Sequence, residues 1–440
     1  MSNAFNFFQQ WYPISPLEDL DPVRPIPFTL LGLKLVIWKP RSASHYRVFL
    51  DQCPHRLAPL SEGRVDETSE NLMCSYHGWE FDPQGNCTRI PQADTPDLIA
   101  TKGKNFCVTA FPVQEANDLL WVWPDAQTAD LAEQTPLPLS PQLDASKGFV
   151  WSSVVRDLEY DWQTLVENVA DPSHVAFAHH GIQGNRKRAT ALPIEILTST
   201  AEKIEAKIDQ GLKSVITFEP PCRLEYAIFF GNEGKQVGLV TYCIPMEPGK
   251  SRIVAQFPRN FAQRLQTLTP RWWDHIRNRN LVLEGDMILL HQQERYLQQH
   301  PEPWQTAFKL PTRADRFVIE FRRWFDRYCQ GQLPWGKATL PRFTGGSHNR
   351  QHILDRYHQH TQHCSSCRSA LQWTQRLQWI CLTYILVALS ATALLPDALR
   401  IQFGIPLMAI AGIALGFYGG LKGWLEPQFY FVDYIHADRK

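Results

Sequence analysis

Two short motifs in the first quarter of the chain combine thiol and imidazole side chains. Cys53 is followed two residues later by His55, and Cys74 is followed three residues later by His77. Two thiolates and two imidazoles suit either one tetrahedral zinc ion or one 2Fe-2S cluster. Zinc fingers take their cysteines from one loop and their histidines from one helix, whereas here each motif supplies one of each. The pattern favours the cluster, and structural zinc is the alternative.

A second group of potential ligands lies in the segment ENVADPSHVAFAHHG. Asn168, Asp171 and His174 are spaced by three, and thus lie on one ridge of a helix. His179 follows five residues later, which places it about 140° further around a regular helix. Both imidazoles can therefore reach one ion only if the helix bends or restarts. Pro172 permits this, because Asp can cap a helix and Pro can open one.

Two histidines need one carboxylate to complete the facial triad of an iron(II) oxygenase, which leaves positions open for dioxygen. The segment LVLEGDMILLHQQE offers three candidates, namely Glu284, Asp286 and Glu294. The residue types alone leave the choice among them open.

The two groups together resemble the Rieske non-haem iron oxygenases over residues 1 to about 340. Finer features resemble the pheophorbide a oxygenase group, whose relatives include chlorophyllide a oxygenase and the translocon-associated Rieske proteins of plastids. The segments that carry this resemblance are WYPISPLEDLDP, PLSEGRV, ENVADPSHVAFAHHG, GDMILLHQQE, and HCSSC before a paired hydrophobic tail.

The resemblance implies a role for each candidate ligand. The cluster ligands are Cys53, His55, Cys74 and His77. The mononuclear iron ligands are His174, His179 and Asp286, with Glu284 as the second choice of carboxylate. Glu294 is then expected to be a solvated helix charge.

The resemblance also assigns neighbours of the iron. Asp171 would bridge a cluster ligand and an iron ligand of neighbouring subunits and carry electron transfer, as suits a carboxylate between two imidazoles. Asn168 would lie beside that bridge, and His180 would have a structural role. Phe218, Tyr226 and Phe229 could line the substrate pocket, although ordinary strand core is at least as good an interpretation.

The implied activity is an oxygenase reaction. Reduced ferredoxin would supply electrons, dioxygen would be activated at iron, and a chlorin would be opened by monooxygenation, in a homotrimer. Related enzymes instead oxidise a ring methyl group or hydroxylate a bilin. A rival of another class is a membrane electron-transfer or redox-sensing protein without oxygenation. A soluble aromatic-ring dihydroxylase is disfavoured by the apolar tail.

A pair of cysteines, Cys364 and Cys367, lies in a polar segment instead of at a helix start, which disfavours a thioredoxin-type active site. Two unpaired thiols, or a zinc site with His360 and His363, are open interpretations. In the resembling group this pair is viewed as a thioredoxin target. Our hypothesis is a regulatory dithiol.

The elements that must position these residues form an α+β protein. Short β-branched runs separated by Pro and Gly predict an all-β Rieske domain over 1–130. Strands alternating with longer helices predict a catalytic domain over 131–345, with an antiparallel sheet. A linker with the cysteine pair is expected over 346–375, two transmembrane helices over 376–424, and a polar tail over 425–440. Cys87 and Cys107 are expected to be small core residues.

The apolar stretches 377–395 and 401–421 are each long enough for a membrane helix, and together they predict a membrane hairpin. The alternative is a buried pair of helices in a soluble core. We expect Trp379, Trp424, Tyr430 and Tyr434 to act as interface anchors. Basic residues are more frequent at the flanks than in the turn, which keeps the catalytic part on the cytoplasmic side. A thylakoid or plasma membrane is expected, and the lack of a transit peptide favours a cyanobacterial source.

The overall composition excludes several classes of protein. The 440 residues hold 44 Lys+Arg and 44 Asp+Glu, so the formal net charge is zero and no basic field for nucleic acid exists. A hydrophobic content of 44% excludes general disorder. Ten cysteines in this length argue against a disulfide scaffold and favour metal or redox uses.

Overall fold

The computed structural model describes residues 5–95, 97–211, 213–231, 234–300, 302–335 and 349–439. The chain divides into two compact units. The first contains residues 1–268 and 289–346, and the second contains residues 269–288 and 347–439. Sheets occur in the first unit, whereas the described part of the second unit is helical.

The N-terminal part of the first unit is built from short antiparallel strands. Within the described residues they form sheets of order β1-β11-β10, β2-β3-β4-β9 and β5-β6-β7-β8. The strands are β1 Tyr12–Pro16, β2 Ile26–Leu30, β3 Leu33–Trp38, β4 Arg47–Leu50, β5 Arg64–Val65, β6 Leu72–Met73, β7 Glu80–Phe81, β8 Cys87–Arg89, β9 Ala110–Phe111, β10 Val113–Ala116 and β11 Leu119–Val122. Short helices α1 Leu98–Lys102 and α2 Ala129–Gln134 accompany them. The predicted β domain is thus confirmed.

One buried cluster forms the core beneath the first cysteine motifs. It contains Trp38, Phe49, Phe81 and both Cys53 and Cys74. Cys87 belongs to the same core, as expected. Cys107 is exposed, so its predicted place in the core is wrong.

A seven-stranded antiparallel sheet of order β12-β18-β17-β16-β15-β14-β13 follows. Its strands are β12 Ser153–Leu158, β13 Glu195–Ser199, β14 Ile204–Ile208, β15 Ser214–Glu219, β16 Arg223–Phe230, β17 Lys235–Glu247 and β18 Lys250–Gln256. Its helices are α3 Trp162–Ala170, α4 Val175–Ala178, α5 Gln263–Leu268, α8 Trp304–Ala307 and α9 Arg316–Cys329. Helix α3 packs on β16, β17 and β18, because one of its faces buries Trp162, Leu165, Val166 and Ala170. The predicted α+β arrangement is confirmed.

The second unit begins with α6 Arg271–Asp274 and a π-helical turn, His275–Arg279, which leads into the long helix α7 Asn280–Gln299. Residues 289–299 of α7 are assigned to the first unit. The C-terminal part contains α10 Arg350–Ile353, a π-helical turn Tyr357–Thr361, α11 Ser365–Leu394, α12 Asp397–Leu399 and α13 Ile405–Gly420. Further π-helical turns, Arg400–Gly404 and Leu421–Leu425, flank α13.

The segment expected to be a polar linker is largely helical where the structure describes it. Helix α11 begins at Ser365, ahead of the predicted start of the membrane hairpin at 376. The reason is that several polar residues of this segment face inward: Arg356, Gln359, His360 and Thr361 are all buried. The polar composition of residues 346–375 therefore does not indicate an exposed linker.

Helices α11 and α13 pack against each other and expose much of their apolar surface. The helical segments Ser365–Leu394 and Asp397–Phe429 are long and apolar enough to cross a membrane by length and composition. Among the expected anchors, Trp379 is 71% exposed. Tyr434 is only 1% exposed, so its predicted role as an interface anchor is wrong.

Candidate metal centres

Two loops of the same local geometry carry the first set of potential ligands. In one, the N–H of Leu57 donates to the carbonyl of Cys53 over 2.9 Å; in the other, the N–H of Gly78 donates to that of Cys74 over the same distance. The N–H of Cys53 donates to the carbonyl of Ala58, and the N–H of Cys74 donates to the carbonyl of Trp79, each over 2.8 Å. Leu57 and Gly78 both have positive φ, 62° and 70°. Each loop therefore turns back on its cysteine and presents a histidine on its outer side.

The potential ligands of these loops form two layers, with the cysteine thiols buried and the imidazoles closer to solvent. Cys53 and Cys74 are each 2% exposed, whereas His55 is exposed and His77 is half-buried. The two imidazole rings lie 4.5 Å apart between centroids, and the ring of His55 stacks on Trp79 at 4.6 Å. Two iron atoms in one cluster, with cysteines on the inner one and histidines on the outer one, fit this layered order.

The same loops are a poor fit for a single zinc ion. One tetrahedral ion holds its ligand atoms roughly 3.5 Å apart. Across the described part of the chain, the groups whose ligand atoms all lie within 4.8 Å of one another do not include these four side chains. Burial raises the pKa of the Cys53 thiol to about 12, an effect that the positive charge of either a cluster or a zinc ion would oppose. These observations favour the cluster over zinc.

The second set of ligands is positioned by a break between two helices. Helix α3 ends at Ala170, and the next residue, Asp171, has an extended backbone. Helix α4 then starts anew at Val175. His174 precedes the first residue of α4 and His179 follows the last. Their Nε2 atoms lie 3.1 Å apart. The restart expected at Pro172 therefore occurs, and it brings both imidazoles together.

This separation is what one shared metal ion requires. Two nitrogens bound at about 2.1 Å to the same ion are ~3.1 Å apart when the angle between the bonds is about 95°. His179 is 2% exposed and the side chain of His174 is 23% exposed. The pair thus offers two imidazole ligands at a partly accessible position.

Asp171 holds the turn between the two helices. Its Oδ1 accepts hydrogen bonds from the N–H of Ser173 over 2.7 Å and from its hydroxyl over 2.5 Å. Its Oδ2 lies 3.9 Å from Nδ1 of His174, and the Asp171 side chain remains 30% exposed. Asn168 is half-buried and its carbonyl accepts from the N–H of Asp171 over 3.2 Å. The hydroxyl of Tyr226 donates to Val169 over 2.8 Å and so braces the end of α3.

The turn that follows His179 depends on Gly184, a residue that the sequence analysis did not single out. The carbonyl of His179 accepts hydrogen bonds from the N–H groups of Ile182, Gln183 and Gly184, over 3.0, 3.1 and 3.0 Å. A Cβ atom built on Gly184 would overlap the backbone carbonyl of Val175. The loop can therefore approach α4 only with glycine at this position. The second glycine of the segment HHGIQGN, which begins with the two histidines, was the feature of the sequence that could have indicated this turn.

Three other residues considered in the sequence analysis have no metal ligand role in our assignment. His180 is 7% exposed, and its Nδ1 accepts a hydrogen bond from the N–H of Arg186 over 3.2 Å, which is a structural contact. Phe218 is fully buried against Phe321 and Trp324, and is therefore strand core. Phe229 is 40% exposed.

The three candidate carboxylates on α7 have different surroundings. Glu284 is fully buried and accepts two hydrogen bonds from the guanidinium of Arg356, over 2.8 and 2.6 Å. Asp286 is 4% exposed. Glu284 is thus engaged by an arginine, which argues against it as the metal ligand.

Glu294 is not the solvated charge that we expected. It is 7% exposed, and its Oε2 accepts hydrogen bonds from the N–H of Asp161 over 2.7 Å and from the hydroxyl of Thr164 over 3.0 Å. Burial, followed by the neighbouring charge of Asp161, raises the pKa of Glu294 to about 8. The expectation failed because α7 buries this face of the helix.

The cysteine pair lies at a helix start, contrary to expectation. Cys364 is the residue before the first turn of α11, and Cys367 lies within that turn. Both side chains are fully buried. A hydrogen bond with Cys367, together with hydrogen bonds to His275 and His360, holds the pKa of the Cys364 thiol well below its usual value, against the effect of burial.

Comparison with known proteins finds two family models that match this chain. The Rieske [2Fe-2S] domain model matches residues 10–112, and the pheophorbide a oxygenase model matches residues 218–304. Pheophorbide a oxygenase of Oryza sativa subsp. japonica, a chloroplastic protein, is 39% identical over 99% of this chain and 85% of its own length. That of Arabidopsis thaliana, also chloroplastic, is 37% identical over the same shares. The chain belongs to the pheophorbide a oxygenase family.

Membership of the pheophorbide a oxygenase family makes the chain a Rieske-type iron oxygenase, an oxidoreductase. The Rieske domain implies a 2Fe-2S cluster, and the oxygenase family implies a non-haem iron that uses dioxygen. Dicamba monooxygenase has the same fold, with a TM-score of 0.60 and 20% identity over 74% of this chain and 99% of its own. The family's plant relatives lend no support to the expected cyanobacterial source.

Proposed function

We propose that the chain is a ferredoxin-dependent monooxygenase that opens the ring of a hydrophobic tetrapyrrole of the pheophorbide a type. One observation carries this proposal: two proteins named for that substrate match 99% of the chain at 39% and 37% identity. The similarity therefore extends beyond the short ligand motifs that all Rieske oxygenases need.

We assign the iron site of this proposal to His174, His179 and Asp286, the ligands that the family resemblance implies. Its support comes from the 3.1 Å between the two imidazole nitrogens and from the burial of Asp286. The two other carboxylates of α7 are engaged elsewhere, Glu284 by Arg356 and Glu294 by Asp161. When bound, the iron and the cluster supply dioxygen activation and one-electron transfer.

Asp171 orients the site in this proposal. Its Oδ1 is fixed by Ser173, so that Oδ2 is directed towards Nδ1 of His174. The charge of a carboxylate 3.9 Å from Nδ1 favours a proton on that nitrogen, which leaves Nε2 free to bind metal. The homotrimer in which the cluster of one subunit serves the iron of the next is proposed from the family resemblance. The partly exposed side chain of Asp171 and the exposed ring of His55 are both accessible to a neighbouring subunit, as that arrangement requires.

The apolar hairpin of α11 and α13 is proposed to lie in a membrane. The side chains of Leu386, Val387 and Ile413 are 65%, 60% and 72% exposed, which is costly in water. An apolar chlorin partitions into lipid, so a lipid-anchored oxygenase meets its substrate where the substrate concentrates.

The reaction is tested with protein purified without oxygen. The protein is incubated with reduced ferredoxin, ¹⁸O₂ and a panel of chlorins and bilins, and products are identified by mass spectrometry. We expect one labelled oxygen atom in a ring-opened product of a pheophorbide. Hydroxylation of a methyl group or of a bilin would contradict the proposed ring opening, and no labelled product from any substrate would contradict the oxygenase function.

The ligand set is tested by metal content in three variants. Asp286→Ala and His174→Ala should lose the mononuclear iron and the product while keeping the absorption spectrum of the cluster. Glu284→Gln is the matched control and should keep the mononuclear iron. Loss of that iron in Glu284→Gln, with retention in Asp286→Ala, would assign the carboxylate to Glu284 instead.

A further inference from the structure

A second group of metal-binding side chains converges in the second unit. Nδ1 of His275 lies 3.5 Å from Sγ of Cys364 and 3.7 Å from Sγ of Cys367. Nε2 of His360 lies 3.3 Å from Sγ of Cys367. One ligand atom from each of the four lies within 4.8 Å of the others. Two sulfur atoms and two nitrogen atoms thus surround one point.

These separations match a tetrahedral ion. With metal–sulfur bonds of about 2.3 Å and metal–nitrogen bonds of about 2.05 Å, a tetrahedral angle places sulfur and nitrogen ~3.6 Å apart. The observed distances of 3.3 to 3.7 Å bracket that value. Hydrogen bonding alone would not require four such groups to meet at one point.

The surroundings favour an ion whose charge the ligands cancel. All four side chains are buried, in a core that includes Ile276, Leu371 and Phe429. A divalent ion with two thiolates is electrically neutral, and neutrality removes most of the cost of burying charge in an apolar core.

The local backbone prepares three of the four ligands. His360 lies in the π-helical turn before α11, and its carbonyl accepts a hydrogen bond from the N–H of Cys364 over 2.9 Å. Cys367 is placed in the first turn of α11, so it lies on the same side as Cys364. His275 comes from a segment 89 residues earlier in the chain and begins the π-helical turn before α7.

We propose that His275, His360, Cys364 and Cys367 bind one structural zinc ion. The ion would fasten the segment that leads into α7 to the segment that leads into α11. Mixed thiolate and imidazole ligands suit zinc, and a closed set of four leaves no position for a substrate or water. Zinc binding displaces the two thiol protons to solvent and needs no oxidant.

This proposal differs from the zinc site that the sequence left open. His363 lies next to Cys364 in sequence, yet it is absent from the converging group. His275 takes the fourth place instead. The regulatory dithiol stays a prediction, and the same experiment separates it from the zinc site.

The test is the metal content of the full-length protein, measured by mass spectrometry of the elements alongside iron. We expect one zinc per chain in the wild type and loss of it in Cys367→Ser and His275→Ala, with the iron and the spectrum of the cluster unchanged. His363→Ala and Cys381→Ser are the matched controls and should keep their zinc. Loss of zinc in the controls to the same extent would overturn the assignment.

Wild-type protein provides a second test should the serine and alanine variants fail to fold. Zinc-edge X-ray absorption should show two sulfur and two nitrogen ligands, and a chelator should release the ion and make two protected thiols reactive. Full-length protein that contains no zinc, or that carries a Cys364–Cys367 disulfide reduced by thioredoxin, would overturn the proposal and support the dithiol.

Discussion

Arg356 and Glu284 form a bidentate ion pair in which neither side chain is exposed to solvent, with nitrogen to oxygen distances of 2.8 and 2.6 Å. The same guanidinium also donates to the carbonyl groups of Ile276 and Gln428. Arg356, which precedes α11, thereby connects α7 with the segment that follows α13. The charge of Glu284 is balanced without metal.

Removing the arginine should destabilise the fold strongly. We expect Arg356→Met to lower the free energy of unfolding by about 3–5 kcal/mol, because the carboxylate of Glu284 is left buried without its partner. Denaturant unfolding measures the change. Arg323→Met breaks an exposed pair with Glu320 and should cost less than about 1 kcal/mol. An equal decrease in the free energy of unfolding in the two variants would contradict the argument that the buried ion pair matters more than the exposed one.

Substituting Gly184 should disable the iron site without touching a ligand. In Gly184→Ala the added Cβ overlaps the carbonyl of Val175, so α4 must shift and the two imidazoles must separate. We expect loss of the mononuclear iron with an intact cluster spectrum. Gly412→Ala is the control, because its added Cβ meets nothing within 4 Å and should leave iron unchanged. Full iron content in Gly184→Ala would show that the loop can yield.

The pair of Asp161 and Glu294 should make stability depend on pH. The pKa of Glu294 is raised from 4.5 to about 8, so between these values the folded state binds more protons than the unfolded state. The free energy of unfolding therefore falls as pH rises through this window. We expect Glu294→Gln to flatten the fall, measured by urea unfolding of both proteins at several pH values. Parallel curves for wild type and variant would contradict the raised pKa.

A charge placed on the apolar hairpin should test whether it lies in lipid. Leu386 is 65% exposed in the middle of α11. In a membrane, Leu386→Arg should cost roughly 2.5–3.5 kcal/mol and reduce flotation with lipid vesicles. Val23→Arg, at an exposed apolar position in the first unit, should leave flotation unchanged. If Leu386→Arg floats like the wild type, the hairpin is not inserted.

The proposed cluster loops and the histidine pair could be recognised as candidates because their potential ligands lie close together in sequence. Cys53 and His55 are separated by one residue, and His174 and His179 by four. Local spacing also predicted the helix break at Pro172, since the conformational limits of proline do not depend on the rest of the fold. Local patterns thus located most of the proposed ligand residues.

What the sequence concealed depends on contacts between distant segments. His275 meets Cys364 across 89 residues, and Arg356 meets Glu284 across 72. The sequence around one partner gives no indication of the other. A polar side chain considered alone makes its segment resemble a solvated linker or the exposed face of a helix. Burial of polar residues becomes visible only when their partners are known.

The two loops of the proposed cluster site make the same backbone turn with different residues, Leu57 in one and Gly78 in the other. Gly78 adopts its positive φ without steric cost, whereas Leu57 occupies the same region of backbone space at a penalty on the order of 1 kcal/mol. Its side chain recovers little of that by burial, since it is 64% exposed beside His55. The loop of Cys53 therefore carries a backbone cost that the loop of Cys74 avoids, and it displays an apolar side chain to solvent beside His55.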